Sequence, residues 1–224
     1  MFYYKHFKNI DGFKRILTDE ELNIFFEAID NDMDMLFFKL MLVKGKRMNE
    51  LVKLNIKDID FRAGLFYTYV SKKRDDNSRR ITYLDDSTKF MLLNYCQVHA
   101  FDIAYNEGFL FFSETRKKGH KSEATLTSRF HKYRARIGLN RHFYIDKAGN
   151  KRYFIRSHSL RATAINKVLE ATDGDIFKTM AFSHHKTIEG LVPYINEYNN
   201  RQLTEIENKA FKNFKQQKLT VFIV

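Results

Sequence analysis

From residue 34 to 43 the chain is apolar on almost every side of a helical projection: Met35, Leu36, Phe37, Phe38, Leu40, Met41 and Leu42 fall in one run. A helix without a polar face cannot lie on a surface, so the rest of the fold must pack around this one. Gly45 follows and is expected to break it. Upstream, Thr18-Asp19-Glu20-Glu21 spells a capping box, flanked by Leu17 and Leu22 as a hydrophobic staple, which predicts a helix running to about residue 28.

The periodicity then changes. After a short helix over 49–53, the stretches 59–61, 65–70 and 80–84 are rich in β-branched and aromatic residues and read as strands. Arg62-Ala63-Gly64 supplies the first turn, and the polar run 72–79 forms the tip of the second. Helical patterns return over 87–98 and 123–137, with a buried extended segment at 109–112 between them. Residues 142–144 and 153–155 flank Gly149-Asn150 as a second hairpin, and helices are expected over 158–170, 175–182, 188–194 and 202–214. The expected fold class is α+β, mostly helical, with a small three-stranded antiparallel sheet. Pro193 is the only proline, and no linker or repeat interrupts the chain, so one compact domain is expected.

Composition narrows the function. With 22 Phe and 12 Tyr the chain is too aromatic to be disordered. No apolar run of about 18 residues is present, so no membrane partner is expected, and the N-terminus lacks the apolar core of a signal peptide. Cys96 is the only cysteine, which excludes an intrachain disulfide and fits a reducing cytoplasm; Leu92 and Leu93, one turn earlier, suggest a buried structural thiol. The net charge of +12 favours a polyanionic partner, nucleic acid first. Arg129, Lys132 and Arg136 share one face of the 123–137 helix, either facing DNA or simply solvated.

A spaced set of side chains then names a chemistry. Arg47 stands in Gly45-Lys46-Arg47-Met48-Asn49-Glu50-Leu51; His158-Ser159-Leu160-Arg161 follows far downstream; His185 precedes Tyr194 by nine residues. Any one of these alone is an ordinary surface or packing residue. Together they suit a phosphodiester: each guanidinium presents a planar fork to phosphate oxygens, and His158 and Arg161 at i and i+3 share a helical face. A tyrosine phenol ionises near about 10 in water, so Tyr194 would need positive charge or a base beside it to attack at neutral pH. Tyr198 is an alternative phenol, and Glu50 is placed to orient Arg47 or support the fold.

These motifs resemble the catalytic domain of the tyrosine recombinases, the phage-integrase and Xer-like family. Gly45 to Leu51 is similar to that family's first-arginine stretch, and 158–161 to its His-x-x-Arg box, with Ala162 where many members carry a second histidine. Ser183-His184 replaces the more usual Leu-Gly before the next histidine; spacing to Tyr194 favours His185 over His184. The resemblance covers roughly 14–200 and implies a catalytic set of Arg47, Lys72, His158, Arg161, His185 and Tyr194. Lys72, or Lys73 beside it, corresponds to the hairpin lysine that protonates the leaving 5′ oxygen. It further implies cleavage and rejoining of double-stranded DNA through a 3′-phosphotyrosyl intermediate, with no metal or other cofactor and a homo-oligomer, a tetramer, on DNA. The alternatives are a non-catalytic DNA-binding module of the same fold and type IB topoisomerase-like relaxation. Residues 1–13 are then an N-terminal extension, 14–200 the catalytic domain, and 201–224 a C-terminal helix and tail. The tail ends in an apolar run, 219–224, that needs cover, and residues 203–224 are expected to dock either on a neighbouring protomer or on their own domain. Members usually carry a separate N-terminal DNA-clamping domain, so the sequence reads as a catalytic fragment or a naturally short member.

Overall fold

The computed structural model describes residues 16–69, 79–115, 118–145, 149 and 151–210; Lys72, Lys73 and the tail from 211 lie outside them. The architecture is mostly helical with a three-stranded antiparallel sheet, and the described chain divides into two compact units. Residues up to Ala164 form the first and those from Ile165 the second, the boundary falling inside one helix.

In the first unit, α1 (Asp19–Glu27) opens on the expected capping box: Thr18 Oγ1 accepts the Glu21 N–H at 3.2 Å, and the Glu21 carboxylate accepts the Thr18 N–H at 3.1 Å. α2 (Asp32–Val43) is the central helix, with Leu36, Phe37, Phe38, Leu40 and Met41 all buried. Its rings meet those of other elements edge-on or tilted. Phe38 lies 5.8 Å from Phe25 of α1, and Phe37 lies 4.8 Å from Phe111. Phe130 of α6 (Glu123–Arg136) completes this aromatic core at 5.0 Å from Phe25. α3 (Met48–Leu51) then leads into the sheet.

Strands β1 (Ile59–Asp60), β2 (Leu65–Tyr69) and β3 (Arg79–Tyr83) pair in that order, with Phe66 opposite Thr82 and Thr68 opposite Arg80. Gly64 turns the first corner at φ +67°. The sheet departs from simple apolar alternation. Ile81 and Tyr83 point to solvent, at 46% and 71% exposure, whereas Thr82 and most of Arg80 are covered. The inward face therefore carries Phe66, Thr68, Arg80 and Thr82, a polar lining where pattern alone would place isoleucine.

α4 (Asp86–Val98) is capped by Asp85, and α5 (Ala100–Tyr105) follows after His99 alone. The sequence gives no hint of α5, because no glycine or proline separates the two helices. Cys96 is half-buried among apolar groups, and desolvation pushes its thiol up to about 11, as suits a structural cysteine. β4 (His142–Ile145) and β5 (Lys151–Tyr153) form the second hairpin. α7 (Ser157–Ala171) crosses the unit boundary, and Thr163 Oγ1 accepts the Leu17 N–H at 2.8 Å, anchoring the approach to α1.

The second unit contains the end of α7, α8 (Ile176–Ser183) and α9 (Val192–Ala210). Here two expected helices, 188–194 and 202–214, give way to one. Pro193 sits in the first turn of α9, where a missing N–H costs nothing, so the helix begins there rather than ending. The Asn-rich stretch that reads as a break is carried through as helix despite its weak propensity. No helix among the described residues is long and apolar enough to cross a membrane.

Candidate active site

Gly45 ends α2 in the left-handed region, at φ +57°, and turns the chain so that Lys46 and Arg47 run extended into α3. Glu50, three residues on and buried, reaches back. Its carboxylate accepts the Arg47 backbone N–H at 3.1 Å and an Arg47 guanidinium N–H at 2.9 Å. The same carboxylate lies 3.5 Å from the Arg80 guanidinium on β3. The Arg47 side chain keeps a third of its surface in solvent. Arg161 is fully buried and donates to the Gly45 carbonyl, which ties α7 to the loop holding Arg47. His158, half-buried, stands one turn earlier on α7.

One carboxylate thus faces four basic side chains, Lys46, Arg47, Arg80 and Arg161. Burial pushes the Glu50 carboxyl up, but the Arg47 N–H and the charges of Arg47 and Arg161 outweigh it and hold the group below its ordinary value. Burial also lowers Arg80, opposed by Glu50 and reinforced by Arg47. The cluster carries a surplus of positive charge, which is what an anion site requires.

In the second unit, α8 ends at His184 in the left-handed conformation, φ +53°, and this reversal presents His185. The Ser183 hydroxyl donates to the Thr179 carbonyl at 2.7 Å and meets His185 Nδ1 at 2.8 Å. With its one hydrogen committed to Thr179, Ser183 accepts there, so Nδ1 carries a hydrogen and Nε2 can donate only when the ring is protonated. Gly190 lies under the ring: a Cβ there would come within 3.1 Å of His185 Cδ2. Tyr194, in the first turn of α9, is 4% exposed, and its ring centroid lies 5.7 Å from that of His185. Tyr198 instead packs on Gly174, where a Cβ would sit 3.3 Å from its ring.

The structure therefore brings Arg47 and Arg161 into one cluster and sets His185 beside Tyr194 in another. Sequence reasoning missed Lys46, Arg80, Ser183 and Gly190. Only Arg80 left a trace, in the inverted polarity of β3. The basic stripe of α6 is paired with acids. Arg129 binds both oxygens of buried Asp34 at 3.0 Å and pairs with Glu114, while Lys132 and Arg136 lie 3.7 and 2.7 Å from Asp30. Arg129 is thus an internal fastening to buried Asp34, while Lys132 and Arg136 remain exposed beside an exposed Asp30. Among the described residues no group of three His, Cys, Asp or Glu side chains could hold a metal ion.

A family model described as the phage integrase family matches residues 15–201. The chain is similar in structure to XerA recombinase, at 18% identity and a TM-score of 0.66, covering 87% of this chain and 65% of that one. It is similar to XerH site-specific recombinase in a post-cleavage complex with a palindromic difH substrate, at 20% identity and TM-score 0.65, covering 89% and 53% respectively. A lambda integrase dimer bound to a COC′ core site matches at 21% identity and TM-score 0.58, covering 80% and 47%. At such identities the likeness shows the fold, and the chain spans between about half and two thirds of these structures' length. Comparison with curated proteins gives no match.

Proposed function

The chain belongs to the phage integrase family, and from that premise we propose that it cleaves and rejoins double-stranded DNA in site-specific recombination or integration, through a 3′-phosphotyrosyl intermediate. The observation that carries the reading is the charge imbalance at Glu50, where one carboxylate organises Arg47 and Arg80 while buried Arg161 adds further charge. Such a cluster is arranged before the substrate arrives, so it can stabilise the charge that grows on the phosphoryl oxygens without reorganising.

In this reading Arg47 and Arg161 hold the scissile phosphate, and protonated His185 donates to it through Nε2. The Tyr194 oxygen forms a bond to phosphorus as the bond to the 5′ oxygen breaks. His158 accepts the phenol proton, and Lys72 gives one to the departing 5′ oxygen. Rejoining reverses these steps, so no ester bond energy is lost. A circular intermediate DNA is the ligand named for the Tn1549 transposon integrase, similar in structure at 14% identity and TM-score 0.60, which supports a DNA partner here. Assembly as a tetramer through residues 203–224 belongs to the same proposal; Leu203 and Ile206 of α9 are more than half exposed. Deleting 215–224 would leave the DNA-bound oligomer unchanged in size if that docking does not occur.

The test is covalent trapping on a pool of nicked duplexes of randomised sequence, read as adduct on a denaturing gel. Wild type becomes trapped, with or without chelator, and Tyr194→Phe does not. A Tyr194→Phe protein that still forms the adduct would remove Tyr194 from its role.

A further inference from the structure

Lys46 has no part in the mechanism above, yet it is among the largest fully buried side chains of the molecule. Its Nζ makes no hydrogen bond among the described residues. An ammonium in that position would ordinarily be paired, because burying an unpaired charge is expensive. Among the described residues only Glu50 compensates it, and only in part. From α3 it faces Arg47 and Glu50, from β3 Arg80, and from α7 Arg161. From β2 the Phe66 ring lies 5.9 Å from Nζ. The one carboxylate in this set is already engaged by Arg47 and Arg80. Desolvation, only partly opposed by Glu50 and reinforced by the three arginines, pushes the Lys46 amine down to about 7.

A buried amine among arginines responds to whatever changes the local charge. A phosphodiester bound at Arg47 and Arg161 brings one negative charge, which favours the ammonium. We propose that Lys46 is a proton-linked positioning residue of the phosphate site, taking up one proton from solvent as a DNA phosphate joins Arg47 and Arg161. The bound phosphate then faces one more cation than the resting cluster displays, and the charge of the site adjusts to its occupancy. This rests on the function proposed above, since the anion is taken to be a DNA phosphate. It goes beyond it by making capture dependent on pH through a residue outside the set Arg47, Lys72, His158, Arg161, His185 and Tyr194.

The linkage has a definite sign. Above about pH 7 the free protein holds Lys46 mainly as the neutral amine, so binding draws a proton from solution and weakens as pH rises, by up to about tenfold per pH unit for one linked proton. A histidine that gains a proton on the same phosphate adds a slope of its own, which is common to the chains with and without Lys46 and cancels in their comparison.

The experiment is a fluorescence-anisotropy titration of a labelled duplex of randomised sequence with the Tyr194→Phe chain, from about pH 7 to pH 9. It is repeated in the Lys46→Met and Lys46→Gln backgrounds, which are one atom shorter than lysine and carry no charge. Calorimetry in two buffers of different ionisation enthalpy counts the protons taken up. The expected result is a steeper loss of affinity with pH when Lys46 is present, by up to about tenfold per unit, and close to one more proton taken up near pH 8. Equal slopes and equal proton counts, with DNA still bound, would overturn the role of Lys46 and leave the DNA reading standing. No binding at any pH would overturn both. Should neither variant fold, a proton count near zero for the chain that retains Lys46 would still overturn the inference.

Discussion

Two buried carboxylates, Asp34 and Glu50, lie in the same unit, and their surroundings differ in one respect. Around Asp34 the charges close: Arg129 contacts both oxygens, the Tyr133 hydroxyl donates at 2.8 Å, and Glu114 pairs with both Arg129 and Lys121. Two acids meet two bases, and the network fastens α2 to α6. Around Glu50 they do not close, since one acid meets Lys46, Arg47, Arg80 and Arg161. Both sites are rich in arginine, so arginine content does not distinguish fastening from function. Charge left over after the internal pairs are made does, because that surplus remains for a ligand.

This contrast can be broken by substitution. Asp34→Ala strands Arg129 and Tyr133 and is expected to cost about 3–5 kcal/mol of stability in urea melts; a loss below about 1 kcal/mol would show that the network holds nothing together. Arg161→Met removes a preorganised cation from the Glu50 cluster and is expected to slow adduct formation by about 10²–10³-fold. Arg129→Met at Asp34 should instead lower stability with adduct formation per folded molecule unchanged. If both variants lost rate equally, the distinction between the clusters would fail.

Lys46→Met is expected to stabilise the protein, by about 1–4 kcal/mol at pH 6, as replacement of a buried charge by an apolar isostere often does. The gain shrinks toward pH 10. The folded chain holds Lys46 at about 7, while an unfolded lysine titrates at about 10.4, so the unfolded chain binds the extra proton between these values. Wild-type stability therefore rises with pH through that window, and urea melts at both ends measure the difference. The smallest effect is at the α1 cap, where Thr18→Ala should cost about 1 kcal/mol at any pH.

The same contrast explains what could be read from the sequence. The Thr18–Glu21 box, the all-apolar α2 and the Gly64 turn are set by neighbours within a few residues, and each forms where the pattern places it. The α6 stripe is different, because its partners Asp30, Asp34 and Glu114 are distant in sequence and a helical projection shows only that three bases share a face. Lys46 carries no local sign of burial. That follows from how α3, β2, β3 and α7 enclose it. The α9 boundary was hidden for another reason: the expected helix over 188–194 ran through Pro193, whose missing N–H suits a start. Of the site, residue types and the spacing of His185 from Tyr194 were legible. The Ser183 contact that fixes the His185 ring was not, because it depends on the left-handed turn at His184.

The central claim is that the Glu50 cluster serves a reaction at Tyr194, and one measurement addresses it most directly. Protein trapped on the nicked duplexes is digested, and mass spectrometry locates the residue that carries the nucleotide. The account predicts a phosphodiester on the Tyr194 oxygen, attached to the 3′ end of the cleaved strand, and its slower accumulation in Arg161→Met. Attachment at Tyr198, at another residue or through a 5′ phosphate would contradict it.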